Sequence, residues 1–246
     1  LGCLHYDRGE YNKAERFFRK LTELKPEDAY GYLYLGAVLY RLGKVDGAEV
    51  AFKKAQKLDQ EDPVSYTNLG TIYYFEKKDY KKARKIYEKA AKLKEVAYYV
   101  FGNLADSCRH LGDVEKAMEY YRKALSMAEK RLIVNSKDTE ILSHMARYHA
   151  WVGEKAEAIK KIERAVTLVP DNVDVLILSV KVNEICGRRK TALNSLKKIL
   201  DLGGTLSEIE KNPDLEELRR DPEYIKITSQ QSLSRNAIFS GIAIAA

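Results

Sequence analysis

A Leu-Gly pair that returns at a fixed interval limits this chain more than any other feature. Leu1-Gly2, Leu35-Gly36 and Leu69-Gly70 lie 34 residues apart, Leu104-Ala105 follows after 35, and Met145-Ala146 follows after 41. An alanine comes 12 to 14 residues after each pair, at Ala14, Ala48, Ala83, Ala117 and Ala158. Four residues beyond it stands a large side chain (Phe18, Phe52, Tyr87, Tyr121, Ile162), and three further on an apolar one (Leu21, Ala55, Ala90, Ala124, Ala165). Gly9, Gly43, Gly112, Gly153 and Gly187 punctuate the units midway. A chain written at such a period folds as stacked copies of one supersecondary unit. Spacings of three and four place the apolar positions on helix faces, so each copy is expected to be two helices joined at the glycine.

This pattern resembles the tetratricopeptide repeat family, whose signature is W-x2-L-G-x2-Y…A-x3-F…P. The match is carried by Tyr32-x2-Leu35-Gly36, Tyr66-x2-Leu69-Gly70-x2-Tyr73 and Phe101-x2-Leu104-Ala105, with Pro26 and Pro170 in the closing proline slot. It covers residues 1 to about 200. A weaker last copy keeps Leu176, Val180, Gly187, Ala192, Leu196 and Ile199, but Ser179 replaces the leucine. The resemblance implies an all-α fold, a right-handed α-solenoid of helix pairs with a C-terminal capping helical segment. About thirteen helices and no β-sheet are expected. The array takes residues 1-202, as a partial repeat over 1-28 and repeats over about 29-62, 63-97, 98-138, 139-172 and 173-202. Small residues would let the two helices of a unit approach, and large ones would fill the space between units.

Two units depart from the period. One extra residue within Phe75–Tyr80 is expected to lengthen a turn, and about seven extra residues within Ser126–Lys137 to lengthen a second helix so that it protrudes. Beyond Leu202, Gly203-Gly204 ends the pattern. Residues 203-228 read as capping helices, with Leu215, Leu218, Tyr224 and Ile227 covering the apolar edge of the last unit. Residues 229-246 form an apolar tail in which Ile238, Phe239 and Ile242 are expected to dock on repeat surface. Its run of about ten apolar residues is shorter than the 20 or so a bilayer span needs.

Composition removes other classes. With 45% apolar and 32% charged residues the chain suits a folded soluble protein, and 14 glycines and 5 prolines suit helices with short turns. Cys3, Cys108 and Cys186 are far apart and form no C-x-x-C pair, which suggests helix fillers and a reducing, cytoplasmic setting. Leu1 already lies inside a repeat, so the chain reads as a fragment. Phosphate-loop, dinucleotide, zinc-protease and nucleophile-elbow motifs are missing, so no enzyme, cofactor or metal is expected. His144 and His149, five apart, point about 140° away from each other on a helix and cannot share a metal on one face. The formal charge of +7 raises nucleic acid as a partner, but the lysines of Lys77–Lys94 alternate with Glu76, Asp79, Glu88 and Glu95, as on a solvated face.

The family resemblance further implies that the first helix of each unit lines a peptide-binding groove. Its slots fall on Tyr30, Tyr34 and Tyr40; then Asn68, Thr71 and Tyr74; then Tyr99, Asn103, Asp106 and Arg109; then His144, Arg147 and Trp151. Asn68 and Asn103 share one slot, and a carboxamide there can pair with an extended peptide backbone while aromatics supply pockets. Co-chaperones of this family clamp a C-terminal carboxylate with Lys, Asn and Arg. Leu33, Ala37, Tyr99 and Asn103 stand in those slots here, which argues against such a clamp. The expected function is a protein-interaction scaffold binding a protein or peptide ligand. The alternative is a regulatory or assembly region of a larger, membrane-attached or enzymatic polypeptide. Self-association through the tail is a further expectation, and a membrane partner follows only if that tail is a truncated anchor.

Overall fold

A computed structural model describes residues 1–94 and 96–229. Its helices group into two compact units, one over Leu1–Lys123 and one from Ala124 onward. Among the described residues there is no β-strand. In the first unit α1 (Gly2–Asp7) pairs with α2 (Tyr11–Leu24), α3 (Ala29–Arg41) with α4 (Val45–Leu58), and α5 (Pro63–Thr71) with α6 (Tyr80–Ala90). Then come α7 (Tyr98–His110) and α8 (Val114–Val134), within which the first unit ends. The second unit continues with α9 (Thr139–Trp151), α10 (Lys155–Leu168), α11 (Val173–Ile185) and α12 (Arg189–Asp201). Short helices α13 (Ser207–Lys211) and α14 (Glu216–Arg219) and a helix over 222–229 follow.

The first helix of each pair from α9 and α11, and of α3 and α5 before them, opens on a side-chain cap. Asp28, Asp62, Asp138 and Asn172 accept backbone N–H bonds from the helices that they precede, satisfying donors the helix itself leaves open. Within a pair, contact depends on a missing side chain. A Cβ built on Gly36 would stand 2.6 Å from the Phe52 ring, and one on Gly70 would overlap the Tyr87 ring in the same way. The regularly spaced alanines Ala14, Ala48, Ala83 and Ala117 are fully buried. In the second unit Ala146, Ala150, Ala158, Ile162 and Val182 form one core cluster.

Successive pairs in the first unit are joined by ion pairs at a repeated position. The residue after each core alanine on the second helix reaches the turn of the next pair. Glu15 meets Lys44 at 2.7 Å, Glu49 meets Lys77, and Arg84 meets Asp113 at 3.1 Å. The third link reverses the sign of the first two. Glu49 is buried and also accepts from the Tyr73 hydroxyl, with Lys53 at 2.6 Å. Burial alone would raise its carboxyl, but the bonds from Lys53, Lys77 and Tyr73 outweigh burial and bring it down to about 2.

The extra residue of the third pair does not lengthen a turn. It is absorbed inside the helix, where Ile72–Glu76 makes a π-helical turn that continues α5. The left-handed turn position, filled by Gly43 at φ 73° and by glycine in the other pairs, is filled here by Lys78 at φ 51°. The extra residues of the next pair, by contrast, do extend a helix. α8 runs for 21 residues, and Ile133 and Val134 at its end are exposed. In the second unit, Ile209, Leu215, Leu218 and Tyr224 are buried with Leu176, Val180, Leu193 and Leu196, and Ile227 packs against them, so the last pair's apolar edge is covered. The docking expected of Ile238, Phe239 and Ile242 lies outside the described residues.

Two backbone substitutions should act in opposite directions. Gly70→Ala forces the Tyr87 ring to move and should cost about 1–3 kcal/mol of stability. Lys78→Gly removes a left-handed non-glycine residue and should add up to about 1 kcal/mol. Urea unfolding midpoints of both variants check the signs. The Glu49 network also predicts a pH dependence. Its carboxyl titrates near 4.5 when unfolded and near 2 when folded, so its contribution is full above pH 4.5 and is lost as the pH falls through that window. Glu49→Gln should lower stability at pH 7 by about 1–3 kcal/mol and flatten the acid limb of the stability curve.

Candidate functional site

The first helices of the pairs lie side by side in the first unit, linked by contacts near both ends. The Tyr30 hydroxyl on α3 meets Cys3 Sγ on α1 at 2.9 Å, and Arg41 Nε donates to the Tyr6 hydroxyl at 3.3 Å. Further along, the Tyr40 hydroxyl donates to Glu76 Oε1 at 3.2 Å, and Tyr74 touches His110 edge-on at 5.5 Å. These helices present one shared face.

Tyr30 and Tyr34, one turn apart on α3, make an aromatic patch on that face with ring centroids 4.3 Å apart. Tyr34 stacks on Phe18 of α2 at 5.3 Å, which fixes its ring, while Tyr30 is 49% exposed. The Cys3 bond, burial and Tyr34 together raise the Tyr30 hydroxyl above its ordinary range. Asn68 on α5 and Asn103 on α7 occupy equivalent positions and are partly exposed. Ser107 Oγ donates to the Asn103 backbone carbonyl at 3.1 Å, but neither carboxamide is engaged by a side-chain or backbone group among the described residues. Each therefore keeps a donor pair and an acceptor available. Tyr99 is partly buried and meets Tyr98 edge-on at 5.7 Å.

Other slots turn inward. Tyr74 is 4% exposed and packs on Phe75, Tyr80 and His110. Its slot follows from counting in α-helical steps, and the π-turn adds a residue to that count, so Tyr74 turns in while Phe75, which the same spacing also puts on this face, stays partly exposed. Asp106 is 8% exposed and accepts a 2.5 Å bond from the Tyr121 hydroxyl, making it a packing group. The Thr71 hydroxyl donates to the Thr67 carbonyl at 3.0 Å and lies 3.2 Å from the Tyr87 hydroxyl. Arg109 Nη2 is 3.2 Å from His110 Nε2. Sequence reasoning missed the stack of Tyr80 on His110, with centroids 4.6 Å apart. Tyr80 and His110 come from successive pairs, so their spacing in the chain carries no sign of the contact.

In the second unit, His144, Arg147 and Trp151 share one side of α9 and are partly buried. The Arg147 guanidinium sits over the Tyr148 ring at 5.0 Å. Nδ1 of the His144 ring is sealed from solvent, and burial there, with the Arg147 and Lys181 charges, pushes the ring down to about 3. His149 faces elsewhere, buried with Nδ1 2.5 Å from Glu154 Oε2, as His5 is 2.6 Å from Glu10 in the first unit. Among the described residues no three His, Cys, Asp or Glu side chains gather as a metal site, and no helix is long and apolar enough to cross a membrane.

Two family models, both described as tetratricopeptide repeat, match the sequence, one over residues 1–63 and the other over 63–130. Solved structures share the fold. The thermophilic TPR protein TTC0263 of Thermus thermophilus is 19% identical over 75% of this chain and 95% of its own, with a TM-score of 0.58. PilW, a widely conserved type IV pilus biogenesis factor, is 14% identical over 89% of this chain and 94% of its own, with a TM-score of 0.57. Pseudomonas aeruginosa PilF is 22% identical over 85% and 92%, with a TM-score of 0.54. No curated protein matches in sequence.

The low His144 value carries a pH prediction. An unfolded imidazole takes up its proton near pH 6.5 and the folded one near 3, so stability should fall as the pH drops from 6.5 toward 3. Denaturant midpoints for His144→Gln should decline less steeply across that range than those of the parent.

Proposed function

We propose, on the premise that this chain belongs to the tetratricopeptide repeat family, that its first-helix face in the N-terminal unit holds an extended peptide segment of a protein partner. The chain is a helical-repeat scaffold of a family built for protein interaction. One observation carries the finer reading. Asn68 and Asn103 stand at equivalent positions of neighbouring pairs with carboxamides unengaged by the described residues. A carboxamide can donate to a peptide carbonyl and accept from a peptide N–H at once. Two of them, one repeat apart, would grip an extended strand of backbone without regard to its sequence. Selectivity would then come from the aromatic patch of Tyr30 and Tyr34, rigid side chains that give contact area at low entropic cost.

Thr71, Tyr74 and Asp106 have no part in this reading, because their polar or aromatic groups serve the interior. In the second unit, Arg147 and Trp151 offer a separate polar and aromatic surface on α9, to which no role in the same grip is assigned.

The test uses a displayed library of random peptides, selected on the parent chain and measured by fluorescence polarisation. Asn68→Ala with Asn103→Ala should weaken the selected peptides by about tenfold or more, since each lost hydrogen-bonding group is worth roughly 1 kcal/mol. The melting temperature should stay nearly constant, because neither carboxamide is part of the packing. Peptides that bind the double variant as tightly as the parent would place recognition elsewhere.

A further inference from the structure

The second helix of the third pair carries a charge pattern that the proposed peptide grip does not use. On α6, Lys81, Lys82, Lys85 and Lys89 fall within an arc of about 100°, opposite the buried Ala83, Tyr87 and Ala90. Lys78 precedes this stripe and Lys92 extends it. The sequence surrounds these lysines with acids, which suggests a neutralised face. The structure shows where those acids are engaged. Asp79 caps α6 by accepting from the Lys82 backbone N–H, Glu88 is held by Arg84 at 2.8 Å, and Asp113 is held by Arg84 and by Lys116. Among the described residues, no carboxylate pairs with the side chains of Lys78, Lys81, Lys85, Lys89 or Lys92.

The neighbouring helices are different. On α2, Lys13 pairs with Glu10 and Lys20 with Glu23, and on α4, Lys53 pairs with Glu49. Elsewhere such rows are shorter: Lys123 and Lys130 on α8, and Lys190 and Lys197 on α12, are the matching pairs among the described residues. We infer that the α6 lysine face docks on an anionic lipid surface.

The side chains present select that partner. The arc holds no arginine fork for a bound phosphate, no carboxamide to read a base edge and no aromatic ring to stack on a base. Flexible ammonium groups in a row act as point charges, which suits a plane of charged headgroups. Two exposed aliphatic residues stand at one side of the row. Leu111 and Val114, 42% and 52% exposed, lie in the α7–α8 turn that the Arg84–Asp113 bond holds against α6. Aliphatic groups beside a basic stripe fit the boundary between headgroups and acyl chains. A nucleic-acid backbone has no use for them.

The experiment is vesicle co-sedimentation of the full chain with phosphatidylcholine alone, and with phosphatidylcholine containing phosphatidylserine. Binding should require phosphatidylserine and fade as salt is raised. Lys81→Glu, Lys85→Glu and Lys89→Glu together should reduce it by at least about tenfold. The same charge change at Lys160, Lys190 and Lys197 should reduce it far less. Leu111→Ser with Val114→Ser should weaken vesicle binding several-fold and leave the binding of a short DNA duplex unchanged. Circular dichroism and urea midpoints establish that each variant is folded. Equal binding to both vesicle types would overturn the inference, as would equal losses from the two lysine sets. A duplex that displaced the chain from vesicles at low concentration, together with vesicle binding unaffected by Leu111→Ser and Val114→Ser, would reassign the stripe to nucleic acid.

Discussion

The contact between a small residue on the first helix and a large side chain on the second, glycine against an aromatic ring in the first three pairs, holds the pairs together, and the remaining geometry follows from it. With no Cβ at Gly36 or Gly70, the Phe52 and Tyr87 rings lie directly on helix backbone. That closeness buries the adjoining alanines and turns the partly exposed positions of the first helix outward, where Tyr30, Asn68 and Asn103 stand. Burying an aromatic ring contributes roughly 1.5–3 kcal/mol, which exceeds what one surface ion pair supplies. Close packing therefore sets the pair, and charge acts on top of it.

Charge instead distinguishes one neighbour from another. The Glu15–Lys44, Glu49–Lys77 and Arg84–Asp113 links occupy one repeated position, yet the third has opposite polarity. Exchanging the second and third pairs in the stack would set Glu49 against Asp113, and Arg84 against Lys44. Like charges at such partly buried positions are costly. The links thus fix the order of units that would otherwise be nearly interchangeable.

Much of this was legible in the residue spacing. The recurring Leu-Gly pair, the alanines and the turn glycines locate the helices because each marks a backbone or packing requirement that only small residues meet. The site was less legible. Tyr30, Asn68 and Asn103 lie on the face that their spacing implies, whereas Tyr74 and Asp106 do not. Counting slots assumes an α-helix and so misplaces Tyr74, because Ile72–Glu76 takes the wider π-helical winding. Asp106 looks like a solvent-facing acid in the sequence because its partner, the Tyr121 hydroxyl, comes from the next helix. The α6 lysines mislead in the opposite direction. Alternating signs along a sequence do not reveal which carboxylates are already committed to caps and to Arg84.

The π-turn also bears on how such a chain tolerates change in length. An insertion inside a helix ordinarily swings every later side chain by about 100°. Here the added residue is taken up within a single turn, and the helices beyond keep their phase: Ala83 and Tyr87 are as deeply buried as Ala48 and Phe52 in the preceding pair. A tandem duplication that grows by one residue is thus not scrambled downstream. The slip is confined to one point, and there it delivers a new arrangement of side chains, Tyr74 turned in upon Tyr80 and His110, to an otherwise inherited frame.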